Sequence, residues 1–134
     1  MARVALIEDD AFFSEDLVGL LSSAGHECSV YSTAASVVEK LEDVCSSDVV
    51  ILDLMIPRVA IERFRGDSRD TGEILFEMIR RKRHDLPVLV VSARDQGSIS
   101  VGLRADKFVP LIVTKPPDND ALDRILSVLS KGGL

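Results

Sequence analysis

The chain has 134 residues, of which 46% are hydrophobic and 28% are charged, and its formal net charge at pH 7 is −6. This length and hydrophobic content predict a single globular domain over residues 1–134, with little room for a second one. The acidic balance argues against binding of nucleic acid or of an anionic membrane, and because no apolar run is long enough for a transmembrane span or a secretory signal, we expect a soluble protein of the cytoplasm.

The first half of the chain alternates between strand and helix patterns. Short apolar runs predict three strands, at residues 3–7, 26–31 and 49–53. The third run is apolar until it ends in Asp53, as expected for a strand that is buried on both faces. Between the first two strands, apolar residues recur at helical spacing from Phe13 until Gly25 ends the pattern, which predicts a first helix. A second apolar stripe runs from Ala34 to Cys45 and predicts another.

The second half begins with a polar, charge-dense segment, residues 58–71, that predicts a long loop. A helical stripe follows and ends in the basic run at residues 80–83. Two further apolar runs predict strands, at residues 87–91 and 108–114. Residues 96–107 should form the helix between them, although their apolar residues alternate as in a strand and two glycines weaken a helix. An amphipathic helix starting near Asp118 closes the chain, and residues 131–134 indicate a frayed end or the start of a linker.

Five strand and helix units in alternation predict an α/β fold, with a five-stranded parallel sheet and helices on both faces. Because all strands of such a sheet point the same way, their carboxyl ends meet at one edge, and this is the edge where ligands bind. Five polar side chains lie at or just beyond the predicted strand ends: Glu8, Asp9, Asp53, Ser92 and Lys115. We therefore expect these side chains to converge.

Three carboxylates at this edge need a positive partner. At about 5 Å and an effective dielectric near 20, each pair of carboxylates repels by roughly 3 kcal/mol. A hard divalent cation such as Mg²⁺ suits an all-oxygen site of carboxylates, a backbone carbonyl, waters and a phosphate oxygen, and Lys115 adds a further positive charge. The pattern therefore predicts a site that handles phosphoryl groups.

In order and register, these motifs resemble the receiver domain of two-component response regulators. That family has an acidic pair after strand one, a phosphoacceptor aspartate after strand three, Thr or Ser after strand four, and Lys-Pro after strand five. The matching residues here are Glu8 and Asp9, Asp53, Ser92, and Lys115 with Pro116. The resemblance covers essentially the whole chain, and it implies a flavodoxin-like sheet with the strand order 2-1-3-4-5.

The resemblance also implies a role for each site residue. Asp53 would accept a phosphoryl group from a histidine kinase or a phosphotransfer protein, and Ser92 and Lys115 would bind the phosphoryl oxygens. The implied Mg²⁺ ligands are Glu8, Asp9, Asp53 and the backbone carbonyl of Met55. In this family the bond between Lys115 and Pro116 is commonly cis. The domain would be a signalling module that assists its own phosphorylation and dephosphorylation, not an enzyme, and it would switch its affinity for a protein partner.

Three features depart from the family pattern. The family's glycine after the phosphoacceptor usually lies about eight residues on, whereas Gly72 lies 19 residues after Asp53. The longer, arginine-bearing loop at 58–71 would fold over the acidic edge, order on phosphorylation or meet a partner, unless it is simply solvated. Ile112 stands where the family often has Tyr or Phe, and Phe108 is too far along the strand to replace it. The weak helix pattern before the fifth strand puts the usual output face in question.

Two other interpretations stay open. A phosphorylation-independent pseudo-receiver, used as an interaction module, is favoured by Ile112 but not by the intact acidic pair, hydroxyl and lysine. A small phosphatase of the haloacid dehalogenase type also uses a strand-end aspartate, but it generally has a second acid two residues later, where this chain has Met55. The sequence leaves open the kinase, the output, whether the chain continues beyond Leu134, and whether it forms a homodimer.

Five further side chains are assigned structural roles. Cys28 and Cys45 lack the spacing of a disulfide framework or a metal site, so we expect them to be small buried thiols. His26 and His84, in a turn and at a helix end, are expected to be solvated. Asp10 is expected to cap the first helix rather than to bind a metal.

Overall fold

The five predicted strands form one parallel sheet. The computed structural model describes residues 1–57 and 64–131. The strands are β1 (Arg3–Ile7), β2 (Glu27–Tyr31), β3 (Val49–Asp53), β4 (Val88–Ser92) and β5 (Leu111–Thr114). Their order is β2-β1-β3-β4-β5, and every neighbouring pair is parallel. The predicted α/β fold with strand order 2-1-3-4-5 is therefore confirmed.

Helices cover both faces of the sheet. They are α1 (Ala11–Ser23), α2 (Ala34–Glu39), α3 (Leu41–Cys45), α4 (Thr71–Lys82), α5 (Val101–Ala105) and α6 (Asn119–Ser130). The buried residues of α1 and α6 pack on one face, and those of α2 to α5 pack on the other. None of the helices in these described ranges combines the length and apolar character that crossing a membrane requires.

The central strands β3 and β4 are buried along their whole length. Successive residues of β3 face opposite ways, so that Val50 and Leu52 join the core beneath α2 to α5. Val49 and Ile51 join the core beneath α1 and α6. A strand that is covered on both faces must be apolar throughout, which explains the continuous run before Asp53.

Local contacts set both ends of α1. The side chain of Asp10 accepts the backbone N–H groups of Phe12 and Phe13, at 3.0 and 3.1 Å, so its predicted role as a cap is confirmed. Gly25, just beyond the helix, has a φ of 88°. This left-handed conformation favours glycine and explains why the helical pattern stops there.

Two predicted helices are less regular than expected. The second predicted helix is split into α2 and α3, because Lys40, with φ −112° and ψ 32°, departs from helical geometry. The helix expected over 96–107 is reduced to a 3₁₀ turn, Gln96–Ser98, followed by the short α5. The carboxylate of Asp95 accepts the N–H of Gly97 at 3.0 Å, which stabilises a turn in competition with a longer helix.

Strand β5 is also shorter than predicted, because it begins at Leu111 and not at Phe108. The side chain of Asp106 accepts the N–H of Phe108 at 2.8 Å and holds this part of the chain in a turn. Pro110 follows and has no N–H group to donate to a neighbouring strand. These two local features delay the entry of the chain into the sheet.

The connection between β3 and α4 contributes to the core. Phe64 is 1% exposed and packs with the residues beneath α2 to α5. The N–H of Gly72 donates to the carbonyl of Leu54 at 3.1 Å, and a Cβ on Gly72 would lie 2.3 Å from the Cα of Leu54. The end of the predicted loop is therefore anchored in the core at Phe64, while four residues of the segment that follows, Arg65, Gly66, Ser68 and Arg69, are exposed. The rest of the predicted loop, residues 58–63, lies outside the described residues.

His26 corrects one expectation. It is 8% exposed, not solvated, and its Nδ1 accepts the backbone N–H of Ala2 at 2.9 Å. The turn before β2 lies against the start of β1, so the fold buries a side chain that seemed free. His84 is exposed, as predicted. Cys45 is buried, as predicted, whereas Cys28 is half-buried, and burial raises the pKa of the Cys28 thiol to about 11.

Candidate functional site

Three carboxylates meet at the carboxyl edge of the sheet. In the register of β1 and β3, Ile7 lies opposite Leu52, so the next residues, Glu8 and Asp53, emerge side by side. Glu8, Asp9 and Asp53 each offer an oxygen atom, and these atoms lie within 4.8 Å of one another. Glu8 is 1% exposed and Asp53 is 3% exposed, whereas Asp9 faces solvent. The strand ends thus bring together the three acids that the sequence placed there.

Lys115 supplies a positive charge to this cluster. It follows β5, and its backbone N–H donates to the carbonyl of Ser92 at 2.9 Å, which fixes its position beside β4. Its Nζ lies 2.7 Å from Oε1 of Glu8 and 3.4 Å from Oδ2 of Asp53. The same Nζ lies 4.9 Å from the ring centroid of Phe13, within the range of a cation–π contact. The ammonium group therefore has two carboxylates and one aromatic face as partners.

Burial raises the pKa of Glu8 to about 7. The hydrogen bonds from Lys115 and from the backbone N–H of Asp10 act in the opposite direction, and the nearby charge of Asp53 raises the pKa further. Burial alone would lower the pKa of Lys115, but the contacts with Glu8 and Asp53 outweigh it and raise that pKa. The pocket thus holds more negative charge than one lysine neutralises, and a divalent cation would correct the imbalance.

Ser92 and Met55 complete the surroundings of Asp53. Asp53 lies opposite Val91 in the sheet, so Ser92 stands one position beyond it on the neighbouring strand. Ser92 is 1% exposed, and its Oγ accepts the N–H of Arg94 at 3.1 Å. The N–H of Met55 donates to Oδ1 of Asp53 at 2.9 Å, while the Met55 side chain is largely exposed. Both oxygens of Asp53 therefore have a hydrogen-bond donor.

Two contacts around the site were not predicted from the sequence. One is the ring of Phe13 beside Lys115. The other is an ion pair between Arg94 and Asp70, with Glu73 also 3.9 Å from the Arg94 guanidinium. A phenylalanine in a helical apolar stripe has the pattern of an ordinary core residue, and an arginine in a loop belongs to no motif. Only the distances between separate elements reveal either contact.

The region around β5 departs from the family pattern at its aromatic position but matches it at the peptide bond before Pro116. Ile112 is half-buried and packs against the core beneath α2 to α5. Phe108 lies in the turn before β5, with the Nζ of Lys107 5.4 Å from its ring centroid, so it does not replace the aromatic residue that the family often has. The peptide bond between Lys115 and Pro116 is cis, as the resemblance implied.

Sequence comparison finds the same family over nearly the whole chain. A family model described as the response regulator receiver domain matches residues 4–127. The response regulator MprA of Mycobacterium ulcerans (strain Agy99) is 34% identical over 113 residues, which cover 81% of this chain and 43% of MprA. The transcriptional regulatory protein BasR of Escherichia coli (strain K12) is 29% identical over 69% of this chain and 36% of BasR. The matched region therefore spans less than half the length of these relatives.

Comparison of structures finds the same fold. A CheY-like response regulator receiver domain protein from Methanospirillum hungatei JF-1 has a TM-score of 0.71 and 19% identity, over 98% of this chain and 96% of that one. The response regulator protein TrrA from Thermotoga maritima, in complex with Mg(2+)-BeF, has a TM-score of 0.72 and 18% identity, over 98% and 99% of the two chains. At these identities the similarity establishes the fold alone.

Proposed function

This chain belongs to the response regulator receiver domain family, and we propose that it accepts a phosphoryl group on Asp53 in a Mg²⁺-dependent reaction. Membership makes it a signalling domain of two-component systems and not an enzyme that turns over a metabolite. The phosphoryl donor is a histidine kinase or a phosphotransfer protein. Phosphorylation then changes the affinity of the domain for a protein partner.

The observation that carries this proposal is the environment of the Asp53 carboxylate. Asp53 is 3% exposed, and one of its oxygens lies within 4.8 Å of oxygens of Glu8 and Asp9. The Nζ of Lys115 lies 3.4 Å from Oδ2 of Asp53. A nucleophile in this setting is close both to carboxylates that could hold a cation and to a positive side chain. Charge that develops on a transferring phosphoryl group would therefore meet positive partners already in place.

Four groups would hold Mg²⁺: the carboxylates of Glu8, Asp9 and Asp53, and the backbone carbonyl of Met55. All are hard oxygen donors, which are the ligands that Mg²⁺ prefers. The charges of the side chains support this fit, because three carboxylates share the pocket with the single ammonium group of Lys115. When bound, Mg²⁺ supplies charge that neutralises the phosphoryl oxygens.

Asp53 is the nucleophile in the proposed reaction. One of its carboxylate oxygens attacks the phosphorus, the bond between phosphorus and the donor's histidine nitrogen breaks, and an acyl phosphate forms. Lys115 exchanges its contact with Asp53 for a phosphoryl oxygen, and the hydroxyl of Ser92 donates to another. The same groups would assist attack by water, which returns Asp53 to its free state. Movement of Ser92 and Lys115 is how a partner would detect the phosphoryl group.

A second candidate is an interaction module that works without phosphorylation. Two observations favour it: Ile112 replaces the usual aromatic residue, and α5 is only five residues long. The haloacid dehalogenase type of phosphatase has less support. Its second acid would stand at Met55, whose side chain cannot protonate a leaving group.

The proposal is tested by acid-quenched intact mass analysis after incubation with Mg²⁺ and acetyl phosphate. We expect the chain to gain one phosphoryl group, and we expect Asp53→Asn and samples without Mg²⁺ to gain none. Asp9→Asn is a matched variant that keeps Asp53 but removes a proposed Mg²⁺ ligand, so it should gain much less phosphoryl group than the wild type at the same Mg²⁺ concentration. A chain that gains no phosphoryl group, or gains one equally in Asp53→Asn, would contradict the proposal.

Two further measurements separate the alternatives. An NMR titration with Mg²⁺ should shift resonances near Asp53 in a receiver, whereas a phosphorylation-independent module should show no such shift. Hydrolysis of a small phosphate ester over many turnovers would instead favour the phosphatase.

A further inference from the structure

Arg94 joins the segment that follows Ser92 to the beginning of α4. Its guanidinium forms an ion pair with Asp70, the residue before α4, and lies 3.9 Å from Oε2 of Glu73. The side chain of Arg94 is 33% exposed and that of Glu73 is 12% exposed, so water is partly excluded from these contacts. The second oxygen of Glu73 accepts the N–H of Ser100, the cap of α5, at 3.3 Å. The carboxylate of Glu73 therefore contacts both Arg94, just after β4, and Ser100, at the start of α5.

The backbone of Arg94 is tied to the site itself. Its N–H donates to Oγ of Ser92 at 3.1 Å, and Ser92 lies one position beyond Asp53 on the adjacent strand. Turning the Ser92 side chain toward a phosphoryl group on Asp53 would carry its Oγ away from this N–H, because a change of rotamer relocates the oxygen. The segment at Arg94 would then lose one of its two attachments.

The other side of the contact is firmly anchored. Phe64 holds the end of the β3–α4 connection in the core. Arg69 pairs with Asp67 in the same segment and with Glu77 of α4. Phe64 and Arg69 thus hold this segment from one side, and the ion pair with Arg94 joins its last residue, Asp70, to the segment after β4.

From these contacts we infer that Arg94 is a positioning residue, which holds Ser92 in its resting conformation and releases the end of the β3–α4 connection on phosphorylation. The inference rests on the proposed function of Asp53. In the resting state the guanidinium neutralises the carboxylates of Asp70 and Glu73, which would otherwise repel each other. The ion pairs hold the N–H of Arg94 against Oγ of Ser92, and Ser92 must break this hydrogen bond to reach the phosphoryl group, so the pairs favour the unphosphorylated state. Phosphorylation is thereby reported at residues 64–70, a segment that the longer connection of this chain provides.

The sign of the coupling is measured with beryllofluoride as the probe for the phosphorylated state, at a saturating concentration of Mg²⁺. Arg94→Gln removes the ion pairs that oppose this state, so it should bind beryllofluoride roughly two- to fivefold more tightly, the range for a partly exposed ion pair. Arg94→Lys keeps the charge and should stay close to the wild type. Arg104→Gln, an exposed arginine on α5, is the matched control and should change nothing.

A double-mutant cycle connects the effect to the named partner. Asp70→Asn alone should tighten binding of beryllofluoride in the same direction as Arg94→Gln. The double variant should be no tighter than Arg94→Gln alone, because each substitution removes the same ion pair. Equal and additive effects would show that the two residues act separately, and the inference would fail.

Hydrogen exchange provides a readout at the other end of the coupling. The amide of Asp67 donates to the carbonyl of Phe64 at 3.1 Å, and that of Arg69 donates to the side chain of Asp67 at 2.9 Å. In the wild type, both amides should exchange faster after addition of Mg²⁺ and beryllofluoride. In Arg94→Gln they should exchange fast already, and Asp53→Asn should not respond to the probe.

The outcomes separate this inference from the proposed function. If the wild type gains no phosphoryl group and does not bind beryllofluoride, both fail. If the wild type responds but Arg94→Gln binds the probe with wild-type affinity, or the two amides do not respond, only the role of Arg94 is refuted. A circular dichroism spectrum like that of the wild type shows that a variant is folded, and Asp70→Asn tests the same contact if Arg94→Gln does not fold.

Discussion

The two faces of the sheet build their cores in different ways. On one face, α1 and α6 are regular helices of 13 and 12 residues, and their own side chains supply the helical half of the core. On the other face, α4 has 12 residues, but α2, α3 and α5 have only six, five and five. There the β3–α4 connection inserts Phe64 into the core. Short helices cover less of a sheet, so a segment outside the regular elements takes part in the packing.

Taken with the role inferred for Arg94, this difference also predicts which face would report phosphorylation. The face with the short helices carries Arg94, Asp70 and the anchored connection, so a change at Ser92 can reach it through a few partly buried contacts. The face of α1 and α6 meets the site through Phe13, whose ring lies beside Lys115. We therefore expect substitutions in the connection to affect the whole domain, and comparable substitutions on α1 and α6 to have smaller effects.

The largest expected effect is that of Phe64→Ala. Removing a fully buried aromatic side chain should lower the free energy of unfolding by about 3–5 kcal/mol. The control is Phe12→Ala on α1, because Phe12 is 84% exposed and should change stability by less than about 0.5 kcal/mol. Urea denaturation of both variants measures the difference. If Phe64→Ala lowered the free energy of unfolding as little as Phe12→Ala is expected to do, the connection would not contribute to the core.

An intermediate effect is expected from one substitution made on each face. Gly72→Ala would place a Cβ 2.3 Å from the Cα of Leu54, and should lower the free energy of unfolding by about 1–3 kcal/mol or more. Gly19→Ala on α1 meets nothing within 4 Å and should raise it by up to about 1 kcal/mol, because alanine is the better helix former. In both thermal and urea unfolding, the midpoint of Gly72→Ala should therefore fall and that of Gly19→Ala should rise relative to the wild type. A stabilised Gly72→Ala variant would contradict the close approach.

The smallest expected effect depends on pH. Burial raises the pKa of Asp106, but hydrogen bonds from Arg80, at 2.7 Å, and from the N–H of Phe108 outweigh it, so the pKa is lowered. A folded-state pKa below the unfolded value of about 3.9 adds stability above that pH, which is lost as the pH falls through the folded-state pKa. Asp106→Asn should therefore lower the free energy of unfolding by about 1–2 kcal/mol at pH 7.

The free energies of unfolding of Asp106→Asn and the wild type are then compared in acid. The deficit of Asp106→Asn should shrink as the pH falls well below 4, because Asp106 of the wild type becomes protonated. Asp123→Asn, on the exposed side of α6, is the matched control and should show almost no deficit at either pH. Urea denaturation at pH 7 and near pH 3 tests both variants, and a deficit that is constant with pH would rule out the ion pair as its cause.

Much of the fold was predictable because its signals are local. Apolar runs located every strand to within a few residues, and Asp10 and Gly25 were visible as helix ends. The predictions that failed depended on competing local bonds: Asp95 and Asp106 hold turns where the apolar pattern suggested a helix and a longer strand. The prediction that His26 is solvated is wrong for a different reason, since its burial depends on the distant N-terminal residues.

The chemical groups at the strand ends follow from the order of the amino acids alone. A buried parallel strand must be apolar, so polar residues at or just beyond its end mark the edge of the sheet, and this predicts Glu8, Asp53, Ser92 and Lys115 at that edge without knowledge of any distance. Three contacts emerge only when the chain is folded: Phe64 fills the core, Gly72 touches Leu54, and Arg94 pairs with Asp70. These contacts join segments that are far apart in the chain. They depend on the space that the other elements leave unfilled and on charges that those elements leave unpaired.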